Sequence, residues 1–128
     1  MKFSTKAEYG LKAVVCLARC YPQQKNIKTI CAEEHISEKY LERLIGELRK
    51  KGIVVSQKGK SGGYTLAKNP RSIRVGEVVE ILEGPIAPMK CVGKICSMQD
   101  NCTLSVVWNK LGVQIKKTLY GIKLSELI

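Results

Sequence analysis

The sequence is short of histidine, of acid and of long apolar runs. His35 is its single histidine, and 11 Asp+Glu stand against 22 Lys+Arg. With one imidazole there is no nucleophile–base pair, and no phosphate loop is present, so the chain is not expected to be an enzyme. Apolar runs stay as short as Ala13–Ala18 (AVVCLA). None reaches the ~18 residues that a membrane span needs. Lys2, Lys6, Glu8 and Lys12 interrupt the N-terminus too early for the apolar stretch of a signal peptide. There are no internal repeats and no low-complexity tracts. These absences predict a soluble, cytoplasmic protein that does not bind a membrane.

What is present is basic charge. The 128 residues fit one domain, and a hydrophobic content of 45% supplies a small core. The net charge is +11. Fourteen basic and six acidic side chains fall in residues 1–70, against eight and five in 71–128. A polyanion, nucleic acid first of all, is the expected partner.

Helix signals punctuate the chain. Thr5-x-x-Glu8 reads as a capping box, so a first helix is predicted from about Thr5 to Cys20, ended by Tyr21-Pro22. Thr29 is the expected cap of a short helix, Ile30–Glu34, followed by a turn at His35-Ile36. Ser37 is the expected cap of a third helix that Gly52 stops. On it Tyr40, Leu41, Leu44, Ile45 and Leu48 recur at three and four and must face inward. Lys39, Glu42, Arg43 and Gly46 then face outward. Ile53–Gln57 and the segment around Tyr64–Leu66 read as two strands about a basic, glycine-rich tip, a β-hairpin. Val75, Val78, Val79 and Leu82 line a fourth helix ended by Gly84-Pro85. Residues 85–101 read as loop, and a long helix is predicted from Cys102 to about Tyr120. Leu104, Trp108, Leu111 and Ile115 form one stripe on it, Val106 and Val113 a second. A helix apolar on two sides has two things to cover, its own domain and a second copy of the chain. Leu124–Ile128 is expected to dock back as a short turn.

This order of elements predicts a mainly α fold with a small β-hairpin wing. The fold is a winged helix-turn-helix domain with a long C-terminal dimerisation helix. Residues 1–128 are one domain: 1–84 a DNA-binding part, 85–101 a cluster-binding loop, and 102–120 the dimerisation helix. The N-terminal half of a recognition helix meets base edges in the major groove. The expected contact set is Ser37, Glu38, Lys39, Tyr40, Glu42 and Arg43, with Lys58, Lys60 and Ser61 of the wing. Glu42 is an acid among cations. It either accepts a hydrogen bond from cytosine N4, selecting sequence, or pairs on the surface with Lys39 or Arg43.

The six cysteines form two groups and are not expected to pair as disulfides in a cytosolic chain. Cys16, Cys20 and Cys31 lie in apolar helical sequence and read as small core residues. Cys91, Cys96 and Cys102 fall within twelve residues, with gaps of four and five, near the start of the long helix. Soft thiolates at such spacing suit an iron–sulfur cluster or zinc. No CxxC pair exists, and His35 belongs to the predicted DNA-reading turn, which favours a labile cluster completed from elsewhere over zinc.

The chain resembles the bacterial winged-helix regulators typified by IscR, NsrR, RirA and CymR, over nearly all of its length. The resemblance rests on Ser4-Thr5-Lys6-Ala7-Glu8-Tyr9-Gly10-Leu11, on Ile36-Ser37 with Tyr40-Leu41-Glu42, and on Leu48-Arg49-Lys50-Lys51-Gly52. It continues through Gly62-Gly63-Tyr64-Thr65-Leu66-Ala67, Glu83-Gly84, the three loop cysteines, Trp108 and Leu124. It implies a homodimer through the long helix, binding to double-stranded operator DNA, and sensing through a cluster on the loop cysteines. The cluster implied is 2Fe–2S, with 4Fe–4S as the other option. IscR-like members regulate iron–sulfur assembly genes, NsrR-like members sense nitric oxide, RirA-like members respond to iron, and CymR-like members govern cysteine metabolism without a cluster. Two features depart from the IscR-like pattern. The first cysteine gap is four rather than the frequent five, and Ser105 stands where a ligand histidine can occur. NsrR-like members use an aspartate from the opposite subunit at the position of Glu8, which makes Glu8 the candidate fourth ligand. Glu42 matches a glutamate that gates DNA sequence choice in IscR-like members. The expected function is an IscR-like transcription regulator sensing iron–sulfur status, redox or nitric oxide. The alternatives are a nitric-oxide-sensing repressor, a cluster-free regulator of cysteine metabolism and, in a different class, a small electron-transfer iron–sulfur protein.

Overall fold

The computed structural model describes residues 2–59, 62–88 and 103–128. Among them run α1 (Thr5–Cys20), α2 (Ile27–Glu34), α3 (Glu38–Lys50), β1 (Val54–Gln57), β2 (Gly63–Leu66), α4 (Val75–Glu83) and α5 (Ser105–Tyr120). Single 3-10 turns lie at Pro70–Ser72 and Leu124–Leu127. The fold is mainly helical with one antiparallel hairpin, in register from Val54↔Leu66 to Gln57↔Gly63. None of the described helices is long and apolar enough to cross a membrane.

Local chemistry sets the helix starts. Ser4, not Thr5, caps α1: its backbone is extended and its oxygen accepts from the Ala7 N–H. Glu8 therefore falls one position beyond a capping box, and its carboxylate pairs with Lys12 at 3.3 Å instead. Asn26, not Thr29, caps α2. Its side-chain oxygen accepts from both the N–H and the hydroxyl of Thr29, each at 2.8 Å, so the helix begins at Ile27. Ser37 caps α3 as expected, accepting from the Tyr40 N–H at 3.3 Å. His35 takes the left-handed conformation, φ 55, that closes α2 and opens the turn into α3.

The core sits where α1, α3 and α4 meet. Leu17 of α1, Leu41, Leu44 and Leu48 of α3 and Val78 of α4 are fully buried. Each such side chain contributes about 1.5–3 kcal/mol by leaving water. Gly10 lets α1 and α4 approach, since a Cβ there would collide with the Leu82 side chain. A smaller cluster joins Val75, Val79 and Ile86 to Ile115 and Leu119 of α5. Backbone bonds from Val75 N to Ile122 O (2.9 Å) and from Leu124 N to Ile73 O (2.8 Å) stitch the C-terminal turn to the domain. Leu124 is fully buried there, as its apolar sequence predicted.

The long helix starts at Ser105, three residues later than expected. Its first stripe is only partly covered. Ile115 and Leu119 pack on the domain, whereas Leu104 and Leu111 are exposed, as are Val106, Val107 and Val113. Among the described residues α4 meets α5 through Lys116–Glu80 at 3.6 Å and Gly76 against the Tyr120 ring.

Candidate nucleic-acid interface and cysteine loop

Four buried side chains of α3, Leu41, Leu44, Ile45 and Leu48, fix its rotation. At 3.6 residues per turn the opposite face is then forced outward. Glu38, Lys39, Glu42 and Arg43 are all exposed on it, beside the Ser37 cap. The free N–H groups and positive end of the helix point the same way, a ready site for phosphate. Tyr40 stands apart from this row. It is half-buried against the core, its ring edge-to-face on Tyr9 at 6.1 Å and 81°.

Glu42 has no ion pair with Lys39 or Arg43 among the described residues. Its charge is felt elsewhere: the Cys31 thiol is pushed up by partial burial first, then by the negative Glu38 and Glu42. On the inner side, Lys6 of α1 bonds Glu47 of α3 at 3.0 Å and ties the two helices together.

The wing carries Lys58, exposed, next to Gly59 at φ +138. The Gly62 N–H closes the turn on the Gly59 carbonyl at 2.9 Å. Lys60 and Ser61 lie outside the described residues. At its base the wing is held by a contact that sequence reading missed. Lys25 and Tyr64 exchange two backbone hydrogen bonds of 2.9 Å, an isolated antiparallel bridge between the α1–α2 loop and the wing. Gly63 permits this approach, because a Cβ there would stand 2.6 Å from the Lys25 carbonyl oxygen. A glycine within a strand was the available signal.

Cys91, Cys96 and Cys102 also lie outside the described residues. Glu8 is exposed and lines a surface groove of about 380 Å³ with Leu11, Val15, Arg19, Glu34 and Leu127. Ser105 opens α5. Among the described residues no group of three His, Cys, Asp or Glu side chains is placed to hold a metal ion. Of the helical cysteines only Cys16 is fully buried; Cys20 and Cys31 are half-buried rather than core. Cys16 is also no inert filler. Its thiol donates to Glu33 at 2.8 Å, and the Lys25 ammonium lies 3.4 Å from the sulfur.

A family model described as Rrf2, an iron-dependent transcriptional regulator, matches residues 3–128. The transcriptional regulator CymR of Bacillus subtilis (strain 168) is 33% identical over 128 residues, spanning 99% of this chain and 89% of that protein. IscR of Erwinia tasmaniensis is 33% identical over 130 residues, 100% of this chain and 79% of that protein. The structure of CymR (YrzC), the global cysteine regulator of B. subtilis, superposes with a TM-score of 0.81 at 32% identity, covering 99% of this chain and 95% of that one. T. potens IscR superposes at 0.79 with 36% identity, covering 99% and 85%. These relatives are regulators, not enzymes. With its capped third helix, its hairpin and this full-length likeness, the chain belongs to the Rrf2 family of transcriptional regulators.

Proposed function

We propose that the protein is a homodimeric regulator that grips double-stranded operator DNA with α3 and the wing. It answers iron–sulfur status, redox or nitric oxide through a cluster on Cys91, Cys96 and Cys102. The observation that carries the DNA reading is the outward row of α3, locked by the four buried residues behind it. Lys39, Arg43, Lys58 and Lys60 neutralise phosphates, with Ser61 beside them on the wing. Ser37, Glu38 and the helix end set the register on the backbone. Glu42, with no ion pair to its neighbours, is available to accept from cytosine N4 and opposes sites that offer only acceptors. Pairing of the exposed α5 stripe with its copy places two α3 helices on one duplex.

Three soft thiols with no imidazole among them suit iron in a cluster, 2Fe–2S first and 4Fe–4S second. When bound, such a group supplies redox- and ligand-dependent charge. Glu8 is the candidate fourth ligand, offered by the opposite subunit. Among the described residues its exposed carboxylate makes a surface ion pair with Lys12, and it is not part of the α1 cap. Because Lys6–Glu47 and the shared core tie α1 to α3, a change felt at Glu8 reaches the DNA-facing helix. The likeness to CymR favours a second reading, a cluster-free regulator of cysteine metabolism with the same DNA grip.

One preparation separates the readings. Anaerobically purified protein is analysed for visible absorption, iron and sulfide, then titrated with DNA selected from a random library at several salt concentrations. Iron and sulfide in similar amounts support the cluster, and Glu8→Ala then loses or alters its spectrum while Ser105→Ala does not. Their absence favours the CymR-like reading. A dimer neutralising about 6–8 phosphates gives a slope of log affinity on log salt of roughly −5 to −7. A slope near −1 rules out a grip by two helices and two wings.

A further inference from the structure

We propose that Cys16, Lys25 and Glu33 form an oxidation site at which a peroxide joins Cys16 to Lys25 through a sulfur–nitrogen bond. The three residues come from α1, the α1–α2 loop and α2, and neither the DNA grip nor the loop cysteines use them. The Cys16 thiol donates to Glu33 Oε2 at 2.8 Å. Lys25 Nζ lies 3.4 Å from the same sulfur, and 2.7 and 3.0 Å from the two Glu33 oxygens. One carboxylate thus touches both the group to be oxidised and the nitrogen that would trap it.

Burial, then the bond to Glu33, pushes the Cys16 thiol up to about 11, so it is protonated at neutral pH and reacts only with a base at hand. Glu33 is that base. Exposure of only 3% keeps out bulky thiols, whereas hydrogen peroxide is close to water in size. Sulfur attacks one peroxide oxygen, the O–O bond breaks, and the thiol proton passes through Glu33 to the departing oxygen as water. Cys16 is oxidised to a sulfenic acid and the peroxide is reduced. Lys25 then gives one proton to Glu33, and its nitrogen attacks sulfur. The S–O bond breaks, the hydroxyl leaves with that proton as a second water, and nitrogen sheds a further proton to solvent. The flexible lysine stem covers the remaining distance.

Cys20 is not the trap. It stands one turn along α1, where Cβ atoms lie about 5–6 Å apart, beyond the ~3.5–4.5 Å of a disulfide. Its sulfur faces the carbonyls of Leu17 and Gln23 at 3.4 Å. The link would discharge Lys25 and pin the loop whose backbone pairs with Tyr64 at the base of the wing.

The test is hydrogen peroxide treatment of the full chain, alkylation of free thiols, and tryptic mass spectrometry without reductant. The expected species is Ala13–Arg19 joined to Cys20–Lys28, uncut at Lys25, two hydrogens lighter than the separate peptides, with Cys20 alkylated. Lys25→Arg, which keeps the charge facing Glu33, and Cys16→Ser abolish it; Glu33→Gln slows it roughly tenfold or more. Circular dichroism confirms that each variant is folded. Unmodified Cys16, an unlinked sulfinic acid, a Cys16–Cys20 disulfide with Lys25 still cut, or a link that retains oxygen would each overturn the proposal.

Discussion

Helix α5 carries more apolar residues than α3 and yet buries fewer of them. In α3 the apolar side chains fall on one face and every one of Leu41, Leu44, Ile45 and Leu48 is buried. In α5 only Gly112 is buried, and Val113 is 64% exposed. The first helix is finished by its own chain. The second is covered by the described residues only in part, with Ile115 and Leu119 packed on the domain and Val106, Val107, Leu111 and Val113 exposed. An amphipathic pattern therefore says that a face will be covered, not by which molecule.

The sharpest way to break this contrast is to remove covering from α3. Leu44→Ala leaves a cavity in the core and is expected to cost about 2–5 kcal/mol. Urea denaturation should show the midpoint falling with unchanged slope. A loss below ~1 kcal/mol would mean that the α3 seat is looser than its burial implies.

Val113→Glu tests the opposite region. On the exposed side of α5 it should leave monomer folding within about 0.5 kcal/mol. In a dimer seam the same charge would be buried without a partner, at several kcal/mol. Folded monomers in analytical ultracentrifugation are the expected result, and an intact dimer would place the seam on another face.

The smallest effect contrasts the two sides of α3 itself. Gly46 lies on the outward side with nothing within 4 Å of where a Cβ would stand. Gly46→Ala is expected to stabilise by about 0.5–1 kcal/mol, read by thermal unfolding, because it removes backbone entropy without a clash. Destabilisation would show that this face is packed after all.

Much of the fold was legible because its signals are local. Ser37 lies next to the N–H it caps, and the period of Tyr40 to Leu48 needs only the pitch of a helix. Gly84 ends α4 at φ +90, a conformation that favours glycine. Errors arose where two equivalent caps competed within a few residues. Asn26 won over Thr29 because Ile27, which packs against the core, precedes Thr29; Ser4 won over Thr5 by accepting from the N–H of the buried Ala7. The outward set of α3 was readable for the same local reason, and so was the inward face of Tyr40; its ring packs on Tyr9 from another helix, which sets it apart from the expected DNA contacts.

By itself the sequence determined the helices, the hairpin, the basic charge and which face of α3 looks outward. Each follows from interactions a few residues long or from a sum over the chain. Only the tertiary structure decided that Lys25 braces the wing through Tyr64, that Cys16 faces Glu33 and Lys25, and that α4 packs on Ile115 and Leu119 of α5. These partners are far apart along the chain. Their meeting depends on how helices cross and where loops return, which no local periodicity encodes.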